Sequence, residues 1–193
     1  MLVTERLAGK SKGAWAMRVP GALVLMILTA CTDAVKQEDV TVQIGDLPLI
    51  ISAPHGGTLK PAEIPTRSEG KLVGDGHTAE LAWLLSAEIE ASTGLLPHMV
   101  VCNLHREKLD ANREIVEAAQ GDPRAEEAWW DYHEAIEAAR QMVAEDHLAG
   151  LYIDLHGHSH TIQRVEVGYL LQGDELALSA EELDQGTNCQ VSG

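Results

Sequence analysis

The chain has 193 residues, 45% of them hydrophobic and 23% charged, without a single Phe. That composition fits one globular domain with a sizeable core and excludes a disordered or fibrous chain. The formal net charge of −16 at pH 7 excludes a nucleic-acid backbone as partner, because that partner needs a basic face.

The N-terminus has the features of a targeting segment. Lys10, Lys12 and Arg18 precede an apolar run from Val19 to Ala30, shorter than a typical membrane-spanning helix. It ends in Leu28-Thr29-Ala30-Cys31, which resembles a bacterial lipoprotein signal with Cys31 as the lipidated first mature residue; an ordinary secretory signal is the alternative. The expected division is a signal peptide over 1–30, a tether over 31–38 and one domain over 39–193. The expected location is the bacterial cell envelope, with the membrane touched only through the lipid on Cys31. Cys102 falls in an apolar run where a buried, inert thiol is expected, and no spacing demands a disulfide with Cys189.

Val40-Thr41-Val42-Gln43-Ile44 alternates as a half-buried strand does, and Gly45-Asp46 turns into a second strand from Leu47 to Ala53. That strand delivers Pro54-His55-Gly56-Gly57. A long, glycine-punctuated loop then runs to Asp75, and loops of this length in compact domains are often functional. A helix is expected from about His77 to Ser92, with Leu81, Trp83, Leu84, Leu85 and Ile89 as its apolar face and Gly94 as its stop. Asp75 stands where a carboxylate caps a helix, so capping competes with any chemical role.

Met99 to Cys102 forms the next short strand and runs into the densely polar segment Asn103 to Arg113. A second helix is expected from about Arg124 to His147. There Trp129, Trp130 and Tyr132 pack in core or rim, and His133 and His147 are exposed. The apolar run Leu151 to Leu155 ends in Asp154-Leu155-His156-Gly157-His158-Ser159-His160. Alternation would put Asp154, His156 and His158 on one face if the strand continues that far. Val165 to Leu171 is a further strand carrying Glu166. Strands alternating with helices predict an α/β sandwich on a largely parallel sheet.

Two apolar strands that each run out into histidine suggest one site built from neighbouring strand ends. His55, Asp75 and His156 make a His/carboxylate/His set, the donor chemistry of a catalytic zinc with an open position. Arg106, Asn112 and Arg113 could hold an anionic substrate, since guanidinium forks match carboxylate geometry. Histidines satisfied within the fold remain the competing explanation.

Taken together, Ser52-Ala53-Pro54-His55-Gly56-Gly57, Ile64-Pro65, Asp75 with Thr78 and Glu80-Leu81, Arg106 ahead of Asp110-Ala111-Asn112-Arg113, and Asp154-Leu155-His156-Gly157 resemble the N-formylglutamate amidohydrolase family. The resemblance spans Leu49 to Leu171. It implies a three-layer αβα sandwich with a mixed, largely parallel sheet of the zinc-carboxypeptidase kind. It also implies zinc-dependent hydrolysis of an amide in an N-acyl acidic amino acid or related peptide carrying a carboxylate. His55 and His156 match the metal histidines, with Asp75 as the middle ligand and Glu80 as its alternative. Arg106, Asn112 and Arg113 match residues contacting the oxyanion and substrate carboxylate, and Asp110 is expected to orient the arginines.

Two departures from that pattern bear on function. Family members carry a second catalytic Glu on a late strand, for which the sequence after Leu171 offers no counterpart; Glu166 could serve as base if its strand faces the metal, with a solvent-facing position as the alternative. The lipoprotein-type signal points away from a cytoplasmic substrate, towards amides of peptidoglycan fragments or γ-glutamyl peptides. A zinc- or ligand-binding lipoprotein that retains the site without efficient turnover is the second reading.

Overall fold

A computed structural model of the chain describes residues 2–8, 39–162 and 164–168. In chain order the elements are β1 (Leu2–Ala8), β2 (Val40–Gln43), β3 (Leu49–Ala53), α1 (Thr78–Thr93), β4 (His98–Cys102), α2 (Ile115–Ala119), α3 (Pro123–Asp146), β5 (Ala149–Leu155) and β6 (Val167–Gly168). They build a mixed, open sheet of order β2-β4-β3-β5-β1-β6, and the chain is an α/β protein. At its centre β4, β3 and β5 run parallel, flanked by the antiparallel neighbours β2 and β1.

Strand alternation sorts the core onto two faces. Ile51, Ala53, Met99, Val101 and Leu155 pack under α1 through Ala82, Leu85 and Ile89. Val100 and Cys102 face the other way, against Ala125, Ala128, Tyr132 and Ile136 of α3, and Ile50 meets Ala139 and Val143 of the same helix. Helices therefore cover both faces of the parallel trio. This is why its strands are mostly apolar on both faces, with Ser52, His98 and Asp154 as the polar exceptions, and a fully buried side chain such as Met99 contributes roughly 1.5–3 kcal/mol.

The packing of α1 differs from the sequence expectation. Thr78, Ala82 and Ser86 are its buried residues, whereas Leu81, Trp83 and Leu84 are exposed. Small side chains let the helix lie close to the sheet, and Ser86 Oγ accepts a hydrogen bond from Gln43 Nε2 at 2.8 Å. The helix starts at Thr78, one residue later than expected. Its N-cap is His77, held at φ 64° without a side-chain cap, so Asp75 does not cap it. On α3, Asp122 caps the start by accepting from Ala125 N at 2.9 Å, with Pro123 in the first turn. His133 of that helix is half-buried against Ala111 O, 3.0 Å away, rather than exposed.

Three further expectations meet the structure at its margins. Leu2–Ala8, assigned from sequence to a signal segment outside the fold, pairs antiparallel with β5 along the whole strand, from Leu2 opposite Leu155 to Ala8 opposite Ala149. The apolar run Val19 to Ala30, Cys31, the tether and Cys189 lie outside the described residues, as does the end of the expected strand beyond Gly168. Cys102 is buried with a free thiol, and burial pushes its pKa up to about 12. Among the described residues, no helix is long and apolar enough to cross a membrane.

Candidate metal centre

Chain order explains where the site must form. From β3 the chain crosses through α1 to β4 on one side, then returns through α3 to β5 on the other side of β3. The carboxyl ends of the three strands thus flank a topological switch point, where open α/β sheets bind ligands. His55 follows β3, the Asn103–Arg113 segment follows β4, and His156 is the first residue past β5.

Register brings the two histidines together. Ser52 lies opposite Asp154 in the parallel β3–β5 pair, and Ser52 Oγ donates to Asp154 Oδ1 at 2.5 Å. The imidazoles two and three residues further on have ring centroids 5.1 Å apart. Between them sits Asp75, drawn in because its N–H donates to His55 O at 2.9 Å. Asp75 Oδ2 lies 3.3 Å from His55 Nδ1 and 3.2 Å from His156 Nδ1, and accepts from Gly157 N at 3.0 Å.

The glycines of the two motifs are there for space. A Cβ on Gly157 would stand 3.1 Å from that of Asp75, and one on Gly56 would meet Ala79 N at the start of α1. A Cβ on Gly57 would collide with the Asn103 carbonyl group.

Each imidazole uses its other nitrogen on a second buried carboxylate. His55 Nε2 is 2.6 Å from Asp110 Oδ1, and His156 Nε2 is 2.8 Å from Asp154 Oδ2. Asp110 Oδ2 accepts from Arg106 Nε and Nη2, both at 2.8 Å, with Arg67 Nη1 at 3.7 Å behind it. Arg106 Nη1 stands 3.9 Å from Asp75 Oδ1, too far for a hydrogen bond. His55, Asp75, Asp110, Asp154, Arg106 and Arg67 are all less than one-tenth exposed, and His156 opens the cluster to solvent.

Charges in such a place are tuned by their neighbours. Burial disfavours the charged form of Asp75, yet hydrogen bonds from His156, His55 and Gly157 N outweigh it and hold the carboxyl well below its usual range. Burial likewise opposes Asp110, which His55 and Arg106 nonetheless bring down to about 2. For His156 burial favours the neutral ring, but Asp154 and Asp75 raise its pKa to about 9.

His55, Asp75 and His156 each offer a ligand atom within 4.8 Å of the others, close enough to hold a metal ion. Of the two carboxylates considered from sequence, Asp75 stands beside the histidines, whereas Glu80 lies on the exposed side of α1, 3.9 Å from His77 Nδ1. Arg106 is at the cluster, and Asn112 Nδ2 reaches to 3.3 Å from His156 Nε2 at the rim. Arg113 is turned away, half-exposed and paired with Glu117 at 3.3 Å, with its carbonyl accepting from Trp129 Nε1. Glu166 accepts from His160 Nδ1 at 2.9 Å and from Arg164 Nε at 2.8 Å, outside the group formed by His55, Asp75 and His156.

Arg67 and the pairing of Asp110 with His55 had no signal in the sequence. Asp154 did have one, since it stands two residues before His156, the spacing of one strand face. Comparison with protein-family models, curated proteins and solved structures returned no match to this chain.

Proposed function

We propose that this protein is a zinc-dependent amide hydrolase acting on an N-acylated acidic amino acid or a related peptide. One observation carries the reading. Two imidazoles turn the same nitrogen, Nδ1, towards one carboxylate oxygen, while each Nε2 is held by a separate buried acid. Histidine ligands of zinc characteristically give their second nitrogen to a carboxylate, which fixes the tautomer and raises ligand basicity. The donor set of two nitrogens and one carboxylate oxygen fits zinc with a position left open. The ordered motifs, which resemble those of N-formylglutamate amidohydrolases, support the same choice of metal and reaction.

When bound, zinc supplies Lewis acidity towards the amide carbonyl and activates a water molecule for attack. The protein supplies position and charge. Asp110 orients His55, Asp154 orients His156, and Gly157 N steadies Asp75. Arg106 is the buried cation beside the cluster, placed to offset negative charge developing on the carbonyl oxygen. Asn112 at the exposed rim offers a directed donor to the substrate carboxylate. A lipid anchor at Cys31 and a location at the cell envelope belong to this proposal, with envelope amides as the substrates; maturation at Cys31 would remove Leu2–Ala8 and leave that edge of β5 without its partner strand.

A second reading, a zinc- or ligand-binding protein without turnover, is favoured by Glu166, whose carboxylate is held by His160 and Arg164. One experiment separates the two. Metal content is measured on the full chain alongside hydrolysis of N-acyl glutamates and γ-glutamyl peptides. Zinc with turnover that disappears in His55→Ala and His156→Ala supports the hydrolase; zinc without turnover supports the binding protein. Hydrolysis that survives in either variant defeats the hydrolase reading.

A further inference from the structure

β5 stops at Leu155, so the alternation that would have stacked His158 on the face of His156 ends before it reaches either residue. The chain turns away, and His158 and His160 meet Glu166 instead. Each of the three offers a ligand atom within 4.8 Å of the other two, in a group that shares no residue with the buried cluster.

We propose that His158, His160 and Glu166 form a second cation site, taking a borderline divalent metal such as Zn2+ or Ni2+ through imidazole nitrogen and one carboxylate oxygen.

The two imidazoles already lie side by side, with centroids 4.7 Å apart and planes tilted by 34°. His158 Nε2 is 2.7 Å from the carbonyl oxygen of Arg164, which can only accept, so the ring proton is on Nε2. Its Nδ1 lone pair faces the loop, where it accepts the His160 N–H at 3.3 Å, a long contact that an incoming metal would displace. A backbone carbonyl fixing one nitrogen so that the other can ligate is a recurring way to prepare a metal histidine. His160 Nδ1 faces Glu166 Oε1 at 2.9 Å, and the Arg164 guanidinium stands 2.8 Å from the same oxygen. That oxygen already pairs with a guanidinium, and an incoming dication would replace it there.

Imidazole with carboxylate suits zinc and nickel rather than calcium or magnesium, which require oxygen ligands. The site is open, with the His160 side chain 58% exposed. It should therefore bind more weakly and exchange faster than the buried cluster. Nothing in this inference rests on the hydrolase reading.

The test titrates the metal-free full chain with Zn2+ alone and counts equivalents. Two are expected for the native chain and one for His160→Ala/Glu166→Gln. His55→Ala should bind one, and the variant carrying all three changes none. If the double variant keeps two equivalents, or if native chain and double variant bind one each while His55→Ala binds none, the second site is refuted. If instead the single equivalent of the native chain persists in His55→Ala and disappears with the loop changes, the second site stands and the zinc hydrolase falls. Should the double variant fold poorly, Ni2+ added to the native chain provides an independent reading. Paramagnetic broadening of the His158 and His160 ring resonances supports the site, and sharp resonances at two equivalents of Ni2+ overturn it.

Discussion

Asp110 ties His55 to Arg106, one oxygen taking the imidazole at 2.6 Å and the other the guanidinium at 2.8 Å. The carboxylate thus orients an imidazole of the proposed metal site and neutralises a buried cation at once. Replacing it with Asn should weaken zinc binding by about 10- to 100-fold, the usual cost of losing such a partner. Stability should fall by about 3–5 kcal/mol because Arg106 loses its charge partner. Chelator competition reads the first effect and urea denaturation the second. An Asp110→Asn protein with native zinc affinity would remove Asp110 from the site.

The metal-free protein should be most stable in mildly acid solution. Asp75 and Asp110 have depressed folded-state values, so their contribution is complete above the unfolded carboxyl value near ~4 and is lost as pH falls through the folded values, about 2 for Asp110. His156 is raised to about 9, so its contribution is complete below the unfolded value near ~6.5 and is lost as pH rises through 9. A plot of Tm against pH in chelator should therefore peak between roughly pH 4 and 6.5 and decline towards pH 9. Zinc must displace the His156 proton, so its affinity should climb with pH over that same upper window. A Tm that rises from pH 7 to 9.5 contradicts this.

Glu80→Ala and Arg113→Ala test the geometry from the opposite side. Both side chains are at least half-exposed and away from the cluster. Each change should leave zinc affinity intact and move stability by no more than about 0.5 kcal/mol. A tenfold loss of zinc affinity in either would show that the ligand set has been misassigned.

Gly57→Ala places a methyl group against the Asn103 carbonyl, where the end of β3 meets the segment following β4. Backbone cannot yield as a side-chain tip does, and overpacking of this kind costs about 1–3 kcal/mol. Calorimetry should show a lowered Tm; an unchanged one would mean that the two segments are less tightly joined than the structure shows.

Deleting residues 1–8 should expose one edge of β5 along its length, since Leu2–Ala8 pairs with every residue from Ala149 to Leu155. A long unpaired edge invites association between chains. Light scattering should show larger species for the deleted chain than for the full one. Equal monodispersity would mean that β1 is dispensable.

The interior of the fold was legible where periodicity is strong. The apolar runs around Ile50, Val100 and Ile153 are parallel strands, the first two buried on both faces, and α3 was recognisable from Arg124 to His147 almost residue for residue. The buried face of α1 was not, because Ala82 and Ser86 carry little hydrophobic signal and exposed Leu81 and Leu84 carry much. Leu2–Ala8 was hidden beneath the stronger pattern of an apolar run following basic residues. At the site, His55, Asp75 and His156 could be selected from their position after strand ends. The partnership of Asp110 with His55 joins residues 55 apart through a loop, a contact that no local pattern encodes. Position on a strand face also misplaced His158, since alternation holds only while the strand lasts.

Asp154 and His156 lie at the end of β5, a strand interior to the sheet but late in the sequence. During synthesis, a ribosome that has delivered His55, Asp75 and Asp110 has still produced a chain unable to close the cluster. Nascent chains released before Asp154 lack His156, the acid that holds it and the amide that steadies Asp75. In the proposed zinc protein, possession of the buried ion would therefore report that translation has passed Gly157.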